Sequence, residues 1–94
     1  ADLSTKEGQL SVAPAIGTRK IDYLVHNAAI IDPLGKNALL EAGPEEVYSI
    51  LQVNVVAPII LTNQLASNLK AGSRILLVSS RAGDRMVEGL GLYC

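Results

Sequence analysis

Ser80 and Tyr93 stand thirteen residues apart, and they are the pair best suited to acid–base chemistry. A hydroxyl ending an apolar run can polarise a substrate oxygen, and a phenol beside it can give or take the proton. Singly, each has an ordinary explanation. A strand-end serine usually caps its own backbone, and a tyrosine in a glycine-rich stretch usually packs. His26 is the single histidine, so neither a metal cluster nor a Ser-His-Asp triad is expected within the chain. Alone, it reads as a strand-end histidine bonded to a loop. No G-x-G-x-x-G and no phosphate-binding loop occurs.

Asn54 and Pro58 form a second constellation. In a regular helix the N–H of residue 58 donates to the carbonyl of residue 54. Proline has no N–H, so the Asn54 carbonyl loses that donor and needs another, often water. Two readings stay open on the residues alone. One is a proline-kinked helix whose buried asparagine bonds its own backbone. The other is a carbonyl kept free for function.

The elements that must position these groups follow from pattern. Ser4 and Glu7 have capping-box spacing, and Leu10, Ala13 and Ile16 supply a thin apolar stripe up to Gly17. Pro14 predicts that this helix is short, broken or kinked. Ile21 to His26 reads as a buried parallel strand, and residues 27–36 as a loop. Pro44, Glu45 and Glu46 open a helix running to about Leu69, stopped by Gly72. Arg74 to Ser80 is a second buried strand, followed by a glycine-marked loop with Tyr93 at the start of the next helix. Two apolar strands joined by a helix make a βαβ unit with parallel strands and a right-handed crossover.

The long helix has a core stripe of Val47, Ile50, Leu51, Asn54, Pro58, Leu61, Thr62, Leu65 and Leu69. Val53, Val56, Ile59 and Ile60 add apolar residues elsewhere around it, so more than one side should be covered. The sheet covers one side, and a partner subunit is the expected cover for the other, giving a homo-oligomer through helix 44–69.

Bulk properties agree. The chain has 94 residues, 49% of them apolar and 18% charged, and a net charge of −1. A chain this short buries only a little more than about 60% of its unfolded surface, so its apolar content suits the interior of a larger domain. Two strands cannot bury both faces of a sheet, and further strands are expected before or after them. Without a basic run, neither nucleic acid nor an anionic membrane is an expected partner. The longest apolar run, Val55 to Leu61, is too short to span a bilayer, and no signal peptide is expected. Cys94, the single cysteine, reads as a small apolar residue, excludes a disulfide framework and fits a reducing, cytoplasmic compartment.

Taken together, these residues resemble the short-chain dehydrogenase/reductase family. His26-Asn27-Ala28-Ala29 is similar to the N-N-A-G motif at the end of that family's fourth strand. Asn54 matches its helix asparagine, Ser80 ends the fifth strand, and Tyr93 follows at the catalytic interval. Asp2-Leu3 resembles the short Asp motif after the third strand. The resemblance spans the chain but corresponds only to the middle of a complete member. Residues 1–94 are accordingly expected to be the central segment of one NAD(P)-binding α/β domain of the Rossmann type, incomplete at both ends.

The resemblance implies an oxidoreductase in which a nicotinamide cofactor, NADP or NAD, exchanges hydride with a small carbonyl or alcohol substrate. Tyr93 would be the proton donor or acceptor, Ser80 would hold the substrate oxygen, and the Asn54 carbonyl would hold a relay water. Asp2 would lie near the adenine, with Asn27, Ala28 and Ala29 along the ribose crevice and the Tyr93 hydroxyl near the nicotinamide ribose. Departures are His26 for the first Asn and Ala29 for the Gly. The family's glycine-rich loop has no counterpart here, and its lysine four residues after the tyrosine would fall beyond Cys94. Without a nearby cation a tyrosine titrates near its free value of about 10, so the chain alone is expected to be inactive. The alternatives are a truncated, non-catalytic relative kept for pairing, and an unrelated small α/β binding module.

Overall fold

The computed structural model describes residues 1–31 and 43–84. The chain forms helix α1 (Lys6–Ile16), strand β1 (Ile21–His26), helix α2 (Pro44–Leu51), a π-helical turn (Gln52–Val56), helix α3 (Ala57–Gln64), a 3-10 turn (Ala66–Asn68), strand β2 (Leu69–Leu77) and a final 3-10 turn (Arg81–Gly83). The two strands pair in parallel, Tyr23 with Arg74 through His26 with Leu77. The fold is therefore the expected α/β unit, a portion of a Rossmann-type parallel sheet.

The cap of α1 is Thr5, not Ser4. The Thr5 side chain accepts from the Gly8 N–H at 3.0 Å, while Ser4 turns back to the Asp2 carboxylate. Pro14 does not break the helix, which is continuous to Ile16. The carbonyl deprived by Pro14 belongs to Leu10, whose side chain is 39% exposed, so water can serve that face. That exposure also moves Leu10 out of the expected inner stripe. The inward residue is Gln9, among partly buried Val12, Ala13 and Ile16. Arg19 closes the helix by donating to the carbonyls of Ala15 and Ile16.

Proline in the first helical turn and two following carboxylates start α2, as expected. The long helical segment ends at Gln64, before the expected Leu69. Asn68 accounts for the early stop. It is buried, and its amide donates to the carbonyls of Gly17 and Arg19 at 2.8 Å each, which ties the end of the helix to the end of α1. Strand β2 then starts at Leu69, earlier than expected. Its first pairing, Ile21 with Leu69, is followed by an irregularity before Tyr23 meets Arg74. Gly72 sits in that irregularity at φ 90°, where a side chain would be strained. The Ser73 hydroxyl bridges it, donating to the Ile21 carbonyl at 2.7 Å and accepting from the Lys70 N–H. Regular pairing begins at Arg74, where the strand was expected.

The core stripe of the long segment is Ile50, Val53, Ala57, Leu61 and Leu65. Val53 belongs to it and Leu51, 45% exposed, does not. Val53, Ala57, Leu61 and Leu65 of this stripe, with Val12 and Ile16 of α1 and Leu24 of β1, line a small gap of about 130 Å³ between the helices and the strand. On the other side of the segment, Tyr48, Leu51, Val55 and Ile59 are exposed, as are Tyr23, Val25, Leu76 and Leu77 of the sheet. Among the described residues no helix is long and apolar enough to cross a membrane.

Candidate functional site

The site gathers at the carboxyl ends of the parallel strands, where open α/β sheets place their ligands. At the end of β1, His26 Nε2 lies 2.9 Å from the Thr62 hydroxyl of α3. The expected loop contact of this histidine is thus a helix contact. It joins the strand end to the helical segment that carries Asn54. Burial disfavours the charged imidazolium and lowers the His26 pKa below its ordinary value.

Asn54 lies in the middle of the π turn. Its side chain does not bond its own helix. The Ile30 N–H donates to Asn54 Oδ1 at 2.9 Å, and Asn54 Nδ2 donates to the Ile30 carbonyl at 2.8 Å. This reciprocal pair fixes the chain just after Asn27-Ala28-Ala29. The π turn also sharpens the backbone accounting. Ala57 donates to the Gln52 carbonyl, five residues back, instead of to Val53. Pro58 has no N–H for Asn54. Val53 and Asn54 consequently both lose their ordinary α-helical donors, and the side chain of Asn54 is occupied elsewhere.

At the end of β2 the Val78 N–H still reaches the His26 carbonyl at 3.0 Å, and the strand then gives way to Ser79 and Ser80. Ser80 caps the following 3-10 turn, its Oγ accepting from the Ala82 N–H at 3.2 Å. As an acceptor there, the hydroxyl keeps its own proton to donate. Ser80, Asn54, Pro58, His26, Ala28 and Ala29 line one open cleft of about 680 Å³. Ala28 and Ala29 also border a second, shallow cleft of about 460 Å³, which Asp2 lines from the other side. Two clefts thus meet at the pair of alanines. Asn27 faces the gap between α1, β1 and the long segment instead. Residues 32–42 and 85–94, among them Tyr93 and Cys94, lie outside the described residues.

Asp2 is held ready at the second cleft. Its Oδ1 accepts from the Ser4 hydroxyl at 2.6 Å and the Ser4 N–H at 2.9 Å. These two bonds lower its pKa, the side-chain bond most. The supporting contacts of three residues are not marked in the pattern, which gives Thr62 only as part of the core stripe. Ile30 is the partner of Asn54, and Thr62 is the partner of His26. Gln9 is buried and donates to the Leu3 carbonyl and to Gln52 Oε1. One signal for the last was available: a polar Gln beside a glycine in the first turn of a helix that must pack. Among the described residues no group of acidic, histidine or cysteine side chains could hold a metal ion.

Comparison with known proteins agrees with this geometry. The family model described as enoyl-(acyl carrier protein) reductase matches residues 7–94. Tropinone reductase-like 3 of Erythroxylum coca is 36% identical over 74 residues, which cover 79% of this chain and 28% of that protein. A crystal structure of a short-chain dehydrogenase family protein from Francisella tularensis superposes with a TM-score of 0.87 at 25% identity, over 99% of this chain and 37% of that one. A metagenomic short-chain oxidoreductase solved with NADP superposes with a TM-score of 0.81 at 30% identity, over 99% of this chain and 42% of that one. The chain belongs to the short-chain dehydrogenase/reductase family. It spans well under half the length of these relatives.

The His26 contact has a pH signature. The unfolded chain takes up the imidazole proton more readily than the folded one. The stabilisation from the neutral ring is complete above the unfolded value of 6.5 and is lost as pH falls through the lower folded value. His26→Gln removes the titration while its amide can still reach Thr62. This variant is expected to lose less stability than the parent between about pH 7 and about pH 5, measured by urea unfolding midpoints. Equal losses would assign the acid sensitivity to other groups.

Proposed function

We propose that the chain is the central part of an oxidoreductase that moves hydride between a nicotinamide dinucleotide and a small carbonyl or alcohol substrate. The observation that carries this reading is the junction of two clefts at Ala28 and Ala29. One cleft holds Ser80, Asn54 and Pro58; the other holds Asp2. A ligand with two ends would lie across the small alanine side chains. The residues fit such a group: side chains of one carbon allow close approach, and the Asp2 carboxylate, one oxygen held by Ser4, has the other to accept from an adenine amino group. The structures of relatives solved with NADP support NADP, with NAD the alternative.

When bound, the nicotinamide supplies or accepts the hydride. The Ser80 hydroxyl holds the substrate oxygen and stabilises the charge that develops on it. Tyr93 gives or takes the proton at that oxygen. The freed carbonyl of Asn54 holds a water that resupplies it. Asn27, which borders the inner gap next to Ala28, keeps its proposed place beside the ribose. Glycine-rich phosphate-binding sequence and a lysine after the tyrosine are not among these 94 residues, so the 94-residue chain alone is proposed to be inactive. A cytoplasmic setting is part of the same proposal, supported by a sequence whose single cysteine allows no disulfide within these 94 residues.

The exposed Tyr48 and Leu51 support a homo-oligomer built through this helical segment, whereas Val55 and Ile59 line the Ser80 cleft. Sedimentation of the whole protein as a monomer would remove that part of the reading.

The catalytic assignment is tested on the whole protein with NADPH and a panel of small ketones. Tyr93→Phe is expected to lower kcat about 10²- to 10⁴-fold, and Ser80→Ala to lower it about 10²-fold, with dinucleotide affinity little changed by Ser80→Ala. The isolated 94-residue chain is expected to show no turnover. A Tyr93→Phe protein that keeps the parent rate would assign the proton transfer to another group, and turnover by the isolated chain would contradict its dependence on the remaining sequence.

A further inference from the structure

The shallow cleft that carries Asp2 is built from three stretches of chain. Residues 1–4 form one side, Ala28 to Ile30 the middle, and Ser49 and Val53 the other side. The first and third stretches are far apart in sequence. They are joined through Gln9, which is 3% exposed. Its amide donates one proton to the Leu3 carbonyl at 2.9 Å and one to Gln52 Oε1 at 3.0 Å. The Leu3 carbonyl can only accept, so the group facing it must be Nε2, and Gln52 must then present its oxygen. Leu3 follows Asp2 on one side of the cleft, and Gln52 precedes Val53 on the other.

Gly8 makes the same junction possible. A β-carbon there would overlap the Asp2 carbonyl, so the Asp2–Leu3 segment lies directly on the first turn of α1. Thr5 holds that carbonyl from its N–H at 3.3 Å and its hydroxyl at 3.1 Å. These contacts seat the segment on α1, and Gln9 alone of this group carries it across to the π turn. A buried amide with both protons committed is costly to replace by a group that cannot donate, because the Leu3 carbonyl and the Gln52 oxygen then lose a partner together.

We propose that Gln9 is a positioning residue for the dinucleotide: it fixes the spacing between Asp2 and the π turn and thereby sets the affinity of the adenine end. This rests on the reading of the clefts given above. Gln9 acts through Leu3 and Gln52 and touches neither substrate nor the reacting atoms.

The test uses the whole protein. Gln9→Met keeps the length of the side chain and removes both donors. Gln9→Glu keeps a partner for Gln52, whose amide can turn to donate, but offers no proton to Leu3. Gln52→Met cuts the link from its other end and serves if either Gln9 variant does not fold. Gln9→Met is expected to raise both the KM for the dinucleotide and the Kd for NADPH about tenfold, the Kd read from nucleotide fluorescence without carbonyl substrate, while kcat and KM for the carbonyl substrate stay within about twofold. Gln9→Glu is expected to follow Gln9→Met, and Gln52→Met to raise the dinucleotide KM in the same direction. An unchanged dinucleotide KM overturns the proposal, as do equal changes in both KM values and kcat, which mark a general structural loss. If the parent protein does not use a nicotinamide dinucleotide, the functional reading itself fails. If it does and the Gln9 variants match it, only the role of Gln9 fails.

Discussion

A helix interior ordinarily has no backbone carbonyl to spare, because each is held by an N–H one turn later. In α1 Pro14 breaks that rule on an exposed face, and the long segment breaks it at a partly buried one. Ala57 reaches back to Gln52, and Pro58 has nothing to donate, so the carbonyls of Val53 and Asn54 lose their helical donors together. Such a defect in a buried segment costs free energy unless the surroundings accommodate it. The surroundings do so from both sides. The Asn54 amide takes both backbone groups of Ile30, and Gln9 holds the Gln52 side chain at the start of the turn. Both neighbouring clefts are bordered by residues that these bonds set in place.

The sheet contributes the other half of the frame. Parallel pairing brings the ends of β1 and β2 level, with His26 opposite Leu77. The chain leaves the sheet after each strand on the same side as the π turn. His26 then reaches Thr62 one turn beyond Pro58, and Ser80 begins its own small turn across the cleft. The site is thus framed by local departures from regular structure at the ends of regular elements. A π turn, a proline and a serine-capped 3-10 turn each leave or present a polar group where continuous helix or strand would have consumed it. The apolar side chains left exposed on the sheet and on Tyr48, Leu51, Val55 and Ile59 accord with a chain that spans only a fraction of its relatives' length.

Much of this was legible in the residues. Strand β1 has the expected bounds, since an apolar run bounded by a basic turn and a loop leaves little choice. Pro44 with two glutamates placed the start of α2. The coincidence of Asn54 with Pro58 located the disturbed carbonyl. What pattern could not give was tertiary. Asn68 ends the helix early because its amide has partners at the end of α1, fifty residues away in the chain. Ser4 lost the cap to Thr5 because the Asp2 carboxylate competed for it. The π register could not be read from periodicity, because this segment is apolar nearly all round and offers no single stripe whose shift in phase would show. Ile30, Thr62 and Gln9 are supporting residues of common type, marked only by what they touch.

The freed Asn54 carbonyl is proposed to take part in turnover and not merely to be tolerated. Pro58→Ala in the whole protein tests it, because alanine restores the N–H while removing little else. Stability should hold or rise, as alanine is the better helix former. If the carbonyl must stay free, kcat should fall at least about tenfold with KM for both substrates little changed. A folded Pro58→Ala protein that turns over at the parent rate would contradict that role for the carbonyl.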